Sequence, residues 1–204
     1  MKFSSVKPII LASTSPRRKE LLEILGLPFE VVPSHVVENN SAKGIEFVDY
    51  VRALAIAKTE AVAQNYPDAV VIGADTIVSF EKELFPKPKD NEEAKSFLRK
   101  LSGKTHSVIT GVAISVGGRT YSFENTTKVT FFELDDRIID AYVASGDPLD
   151  KAGAYGIQSG GALFVKEIKG DYYSVMGLPI SALATYLRSL GILSLEGGGV
   201  KSDD

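Results

Sequence analysis

Asp75 stands inside the most strand-like run of the chain, AVVIGADTIVSF at residues 69–80. Strand alternation puts Val71, Gly73, Asp75 and Ile77 on one face, and Ile72, Ala74, Thr76 and Val78 on the other. A carboxylate in such a strand is costly to bury unless a cation meets it. Two roles fit it. It is a general base or a ligand for a hard metal, or it is the structural partner of a cation such as Arg17 or Lys87.

The second chemical signal is LASTSPRRKELLEILG, residues 11–26. Ser15 reads as a helix N-cap and Pro16 as the first helical residue, with Leu21, Leu22 and Leu25 as the apolar face and Gly26 as the stop. Arg17 and Arg18 then load the positive end of the helix dipole with two cations. Either both are solvated, at a cost of about 0.3–1 kcal/mol each, or an anion lies there. The serine hydroxyls of Ser13 and Ser15, the turn's N–H groups and two guanidinium forks would together suit a phosphate.

Three further polar residues are placed unusually. Lys58 follows Phe47, Val51 and Leu54 at helical spacing, where its stem can snorkel out past the core. Lys87 sits between Pro86 and Pro88, which either stiffen the presentation of one ammonium group or merely end a strand. Gln158 follows the small-residue stretch DKAGAYG. Its amide can match the N3–H and neighbouring carbonyl of uracil or thymine, or it is an ordinary loop residue.

The elements that must position these groups begin with an apolar strand at 8–12 and the arginine-bearing helix. A strand at 29–33, a polar loop at 34–44 and a long helix at 45–64 precede the Asp75 strand. Asp90 and Glu93 form a capping pair for a helix running to Leu101. A long hairpin turns at Gly117–Gly118, a helix carries Ile138, Ile139, Tyr142 and Val143, and a second hairpin, ALFVKEIKGDYYSV, turns at Gly170. Pro179 opens a last helix with Ile180, Leu183, Leu187 and Leu190 on one face. The expected fold is α/β, with a mixed, strongly twisted sheet flanked by helices. Residues 1–195 form one domain, and 196–204 a disordered tail.

Composition narrows the chemistry. The chain has no cysteine, which removes disulfides, zinc–thiolate sites and cysteine nucleophiles, and only two histidines, His35 and His106. A net charge of −3 leaves no excess of cations to coat a nucleic acid. No apolar run approaches a membrane span, and the N-terminal apolar run is too short for a signal peptide, so a cytoplasmic address is expected. There is no GxxxxGK[ST] loop, no GxGxxG and no HExxH, so phosphate handling falls to the SPRR turn.

In order along the chain, LASTSPRRKELL, LAIAKTEA, VIGADTIV, PKPKD, LSGKTHSVITGV, DKAGAYGIQ and GDYYSVMGLPI resemble the Maf family of nucleotide pyrophosphatases, over about residues 8–190. The resemblance implies a fold similar to that of inosine triphosphate pyrophosphatases, with a cleft between two lobes. It also implies hydrolysis of nucleoside triphosphates to the monophosphate and pyrophosphate with a divalent metal: Mg²⁺, or Mn²⁺ or Co²⁺. Asp75 matches the family's proton acceptor. Arg17, Thr76 and Gln158 match the positions that sort its branches by base, and their combination looks like the dTTP/UTP branch. Arg18, Lys58 and Lys87 match the basic residues that hold the triphosphate, and Ser13 and Ser15 the polar residues of the same turn. Asp75 and Glu38 are the implied metal ligands, although Asn39 stands where the family often carries a second acid. The family also implies a homodimer. Two alternatives accompany this reading: a house-cleaning pyrophosphatase for non-canonical purine triphosphates, and a nucleotide-binding regulator of septum formation.

Overall fold

The computed structural model describes residues 2–37, 42 and 44–196. Its main sheet begins in chain order with β2 (Ile9–Leu11), three aliphatic residues all buried. β3 (Phe29–Val31) and β4 (Val70–Phe80) flank it in parallel. β6 (Thr105–Val116) pairs antiparallel with β4, β7 (Arg119–Phe131) with β6, and β8 (Val165–Lys169) with β7, while the short β5 (Glu83–Phe85) joins the far end of β4. The result is the mixed α/β sheet expected, in the order β3-β2-β4-β6-β7-β8. Gly117 and Gly118, at φ 57° and 75°, supply the two left-handed residues that a tight β6–β7 hairpin needs. A separate pair, β1 (Phe3–Ser5) with β9 (Leu193–Leu195), joins the two ends of the described chain.

The alternation along β4 sorts the layers. Ile72, Ala74 and Val78 enter the main core with Leu98 and Leu101 of α3 (Asn91–Leu101) and Leu183 and Leu187 of α6 (Ile180–Ser189). Val71 and Ile77 face the other side, among residues of α2 (Phe47–Ala63). That helix lies unusually close to the sheet. A Cβ added to Gly73 would meet the Thr59 hydroxyl at 2.3 Å, and one added to Gly111 the Val51 carbonyl oxygen at 2.7 Å. Only glycine admits this approach.

Two expectations about elements are corrected. The buried stripe of α2 is Tyr50, Val51, Ala55, Lys58, Thr59 and Val62, rotated from the expected Phe47–Val51–Leu54 line, and Lys58 lies within it. There is also no second hairpin at Gly170. β8 pairs with β7, and residues 172–176 form α5 (Tyr172–Met176), capped by the Asp171 carboxylate accepting from Tyr173 N. Thr127 Oγ1 accepts from Asp171 N at 2.9 Å, holding the chain against β7 where a hairpin would have reversed it. Helix α1 (Pro16–Glu23) and α4 (Asp136–Ala144) lie where expected. Glu196 donates to the Lys2 carbonyl, and the rest of the expected tail lies outside the described residues.

Candidate active site

The cleft exists because β4 outruns its neighbour. β2 pairs with residues 70–72 only, and β5 rejoins the same edge at Val78. Residues 73–77 therefore lack a strand partner on that edge, while their other edge is fully paired with β6. Asp75 and Thr76 point to opposite faces of the strand, yet both line the cleft that opens there, about 520 Å³ in volume.

The chain leaving β2 builds one wall. Ser15 caps α1, its hydroxyl accepting from Arg18 N at 3.4 Å, and Ser13 Oγ accepts from Ser15 N at 3.1 Å. The turn is thus pinned by the two serines, whose own O–H groups remain donors. No acidic residue occupies the first turn of α1, so Arg17 and Arg18 stand against the dipole there. Both line the cleft, as do Ser13, Ser15, Lys58, Asp75, Thr76, Lys87 and Gln158. Every described residue singled out from the sequence is therefore brought to one cavity.

Within it the residues divide by depth. Asp75 (5% exposed) and Lys58 (8% exposed) form a buried ion pair, Lys58 Nζ donating to Asp75 Oδ1. One spacing-based reading fails here: Lys58 does not snorkel outward, because the glycines beneath α2 bring its stem onto the sheet. Asp75 does meet a cation, and that cation is Lys58, where Arg17 and Lys87 were the candidates. Arg17 instead donates from Nη1 to Asp150 Oδ2 at 3.3 Å, at the cleft rim. Arg18 is held deeper, Nε donating to the Gly177 carbonyl at 2.8 Å and Nη2 to Thr76 Oγ1 at 3.2 Å. Lys87 and Gln158 are exposed at the mouth. Glu38, the second implied metal ligand, lies outside the described residues.

The structure adds residues that sequence reasoning passed over. Asp150 and Lys151 line the rim beside Arg17. Lys151 Nζ donates to Asp150 Oδ1 at 2.7 Å and Asp147 Oδ1 at 3.0 Å, tying the rim to the turn that leads to Gln158. Its hydrogen bonds with Ser159, Tyr142 and Lys151 hold the Asp147 carboxyl below its ordinary range, against the opposing effect of burial. DKAGAYG contains Asp150 and Lys151, but an adjacent acid and base in a loop carries no signal of where each points.

The arrangement can grip a polyanion with two arginines and two lysines, and can accept a proton at a buried carboxylate beneath it. Among the described residues no group of three or more His, Asp or Glu side chains gathers as a metal centre. Magnesium nevertheless takes only one or two protein carboxylates when substrate phosphates and water complete its shell, and Asp75 would be available as one.

Comparison with known proteins agrees with this chemistry. The model of the Maf-like protein family matches residues 8–190. A dTTP/UTP pyrophosphatase of Bacillus cereus is 54% identical over 188 residues, 92% of each chain. One of Bacillus anthracis is 54% identical over 187 residues, 92% of this chain and 97% of its own. Among solved structures, the Staphylococcus aureus Ham1 protein has the same fold, with a TM-score of 0.50 at 17% identity over 90% of this chain and 100% of its own.

Proposed function

The chain belongs to the Maf family, and we propose that it hydrolyses dTTP and UTP to the monophosphate and pyrophosphate in the cleft along β4. The observation that carries this reading is the convergence of Arg17, Arg18, Lys58 and Lys87 on one cavity around Asp75, the one buried carboxylate among the described residues. The curated relatives at 54% identity carry the dTTP/UTP pyrophosphatase name, which supports the choice of base.

In this mechanism the triphosphate lies across the N-terminus of α1, between Arg18, Lys87 and the Ser13–Ser15 turn. Asp75 accepts a proton from the attacking water as its oxygen bonds to phosphorus and the bridging P–O bond breaks. Lys58 and the arginines stabilise the charge that moves onto the departing pyrophosphate. Gln158 and Arg17, at the mouth, lie where the base would sit, the amide of Gln158 matching the N3–H and an adjacent carbonyl of uracil or thymine. A divalent cation held by Asp75 and the phosphates would neutralise charge on the phosphate oxygens. Glu38 is proposed as its second ligand.

We further propose a homodimer, which the family resemblance implies, together with a cytoplasmic setting and a single domain over 1–195. Among the described residues no helix is long and apolar enough to cross a membrane. The deciding experiment measures pyrophosphate release from dTTP, UTP, dCTP, ITP and XTP with Mg²⁺, Mn²⁺ or Co²⁺, with and without chelator. Selective, metal-dependent turnover of dTTP and UTP is expected. Preference for the purine triphosphates would overturn the base assignment, and tight binding without turnover of any of them would overturn the enzymatic one.

A further inference from the structure

Arg18 is held by a closed circuit of hydrogen bonds that runs from the cleft wall back to two residues behind it, Thr110 and Ser174. Thr110 is fully buried on β6, opposite Thr76 in the β4–β6 register, and is not among the cleft-lining residues. Its hydroxyl donates to the Ser174 carbonyl at 2.8 Å. That commits its only proton, so in the 2.9 Å contact between the two threonine hydroxyls Thr76 is the donor and Thr110 the acceptor. Thr76 in turn accepts from Arg18 Nη2. The circuit closes through α5: Gly177 N donates to the same Ser174 carbonyl at 3.0 Å, and the Gly177 carbonyl accepts from Arg18 Nε. The backbone at the junction favours glycine, Gly177 having a φ of 121°, and a Cβ there would lie in van der Waals contact with Arg18 Nε (3.4 Å) and Thr76 Oγ1 (3.7 Å).

Each hydroxyl in this circuit has its donor direction fixed by the next, so rotating one breaks two bonds. The threonines thereby fix the plane of the guanidinium from behind. A planar fork grips phosphate oxygens well only in a set orientation. We propose that Thr110, acting through Thr76, is a positioning residue that orients Arg18 toward the substrate phosphates, and that Thr76 therefore serves the phosphate grip. This rests on the reading of the cleft as a triphosphate site, and it differs from the resemblance, which places Thr76 among the base-sorting positions.

The test compares wild type with T110V, T110S, T76V and T76V/T110V. It measures kcat and KM for dTTP, UTP and dCTP, the calorimetric Kd for inorganic tripolyphosphate, which has no base, and the thermal midpoint. T110V is expected to weaken tripolyphosphate binding and raise KM for all three nucleotides by one common factor, roughly tenfold. T110S is expected to restore both, and the double variant to lose no more than the worse single one, because both act through one guanidinium. The proposal is overturned if folded T110V binds tripolyphosphate within about twofold of wild type. It is also overturned if T110S fails to rescue, or if only the ratio of dTTP to dCTP turnover changes. Should T110V not fold, T76V decides by the same tripolyphosphate measurement. If wild type turns over no triphosphate while T110V still loses tripolyphosphate affinity, the functional reading fails and the positioning role stands.

Discussion

Lys58 and Asp75 meet across the packing of α2 on β4 and bury their opposite charges together. Removing one partner of a buried pair strands the other charge, at about 3–5 kcal/mol. Asp75→Asn should therefore lower stability as well as turnover, and the two losses have to be separated. Adding Lys58→Met removes the ammonium that the Asp75 carboxylate had balanced. The double variant is expected to regain most of the stability in urea unfolding while pyrophosphate release stays at least ~100-fold below wild type. Recovery of turnover along with stability would show that Asp75 is a structural partner only.

The closeness of α2 to the sheet predicts an effect at Gly111, which stands opposite Asp75 in the β4–β6 register without lining the cleft. A methyl group on Gly111 would meet the Val51 carbonyl at 2.7 Å and Arg52 N at 3.0 Å, backbone atoms that cannot swing aside. Gly111→Ala should push α2 outward, lowering stability by about 2 kcal/mol and reducing kcat because Lys58 moves with the helix. Unfolding and turnover measured on one preparation check this. An unfolding free energy within about 0.5 kcal/mol of wild type would mean the helix has room to give.

The sequence showed the parts of the site more readily than their connections. Asp75 was conspicuous as a carboxylate in an apolar strand, and the arginines as cations at the wrong end of a helix, because each violates a local rule. The pairing of Asp75 with Lys58 violates none. It depends on how α2 rolls over Gly73 and Gly111, a tertiary fact with no local periodicity. Residues 172–176 were misread because Tyr172, Tyr173 and Val175 carry strand propensity, whereas the Asp171 cap and the Thr127 contact decide for helix. Thr110 gave no signal, since a threonine in a strand is ordinary until its hydroxyl is traced to Ser174.

Gln158 is exposed at the mouth, so its replacement should cost little stability and bear on the base alone. Gln158→Ala is expected to reduce kcat/KM for UTP and dTTP by roughly tenfold, the worth of one or two hydrogen bonds to a neutral base. Tripolyphosphate should bind as in wild type. A uniform loss across nucleotides and tripolyphosphate would place Gln158 on the phosphates and leave base recognition to other residues.

His106 supplies a pH dependence. It is 1% exposed, its Nε2 lies 2.8 Å from the Tyr155 hydroxyl, and its Nδ1 has no hydrogen-bond partner among the described residues. Burial, aided by the Lys128 charge, lowers its pKa to about 4. Unfolded, the imidazole titrates near 6.5. Between those values the unfolded chain takes up a proton that the native protein refuses, so the unfolding free energy falls as pH falls. The loss begins near pH 6.5 and is complete below about pH 4, where it amounts to about 3 kcal/mol. His106→Gln keeps a polar amide in the site and cannot titrate. The difference in urea midpoint between wild type and this variant should therefore change steadily between pH 7 and pH 4.5, wild type losing ground. Parallel profiles would show that His106 becomes protonated without opening the core, and that acid sensitivity arises at the carboxylates instead.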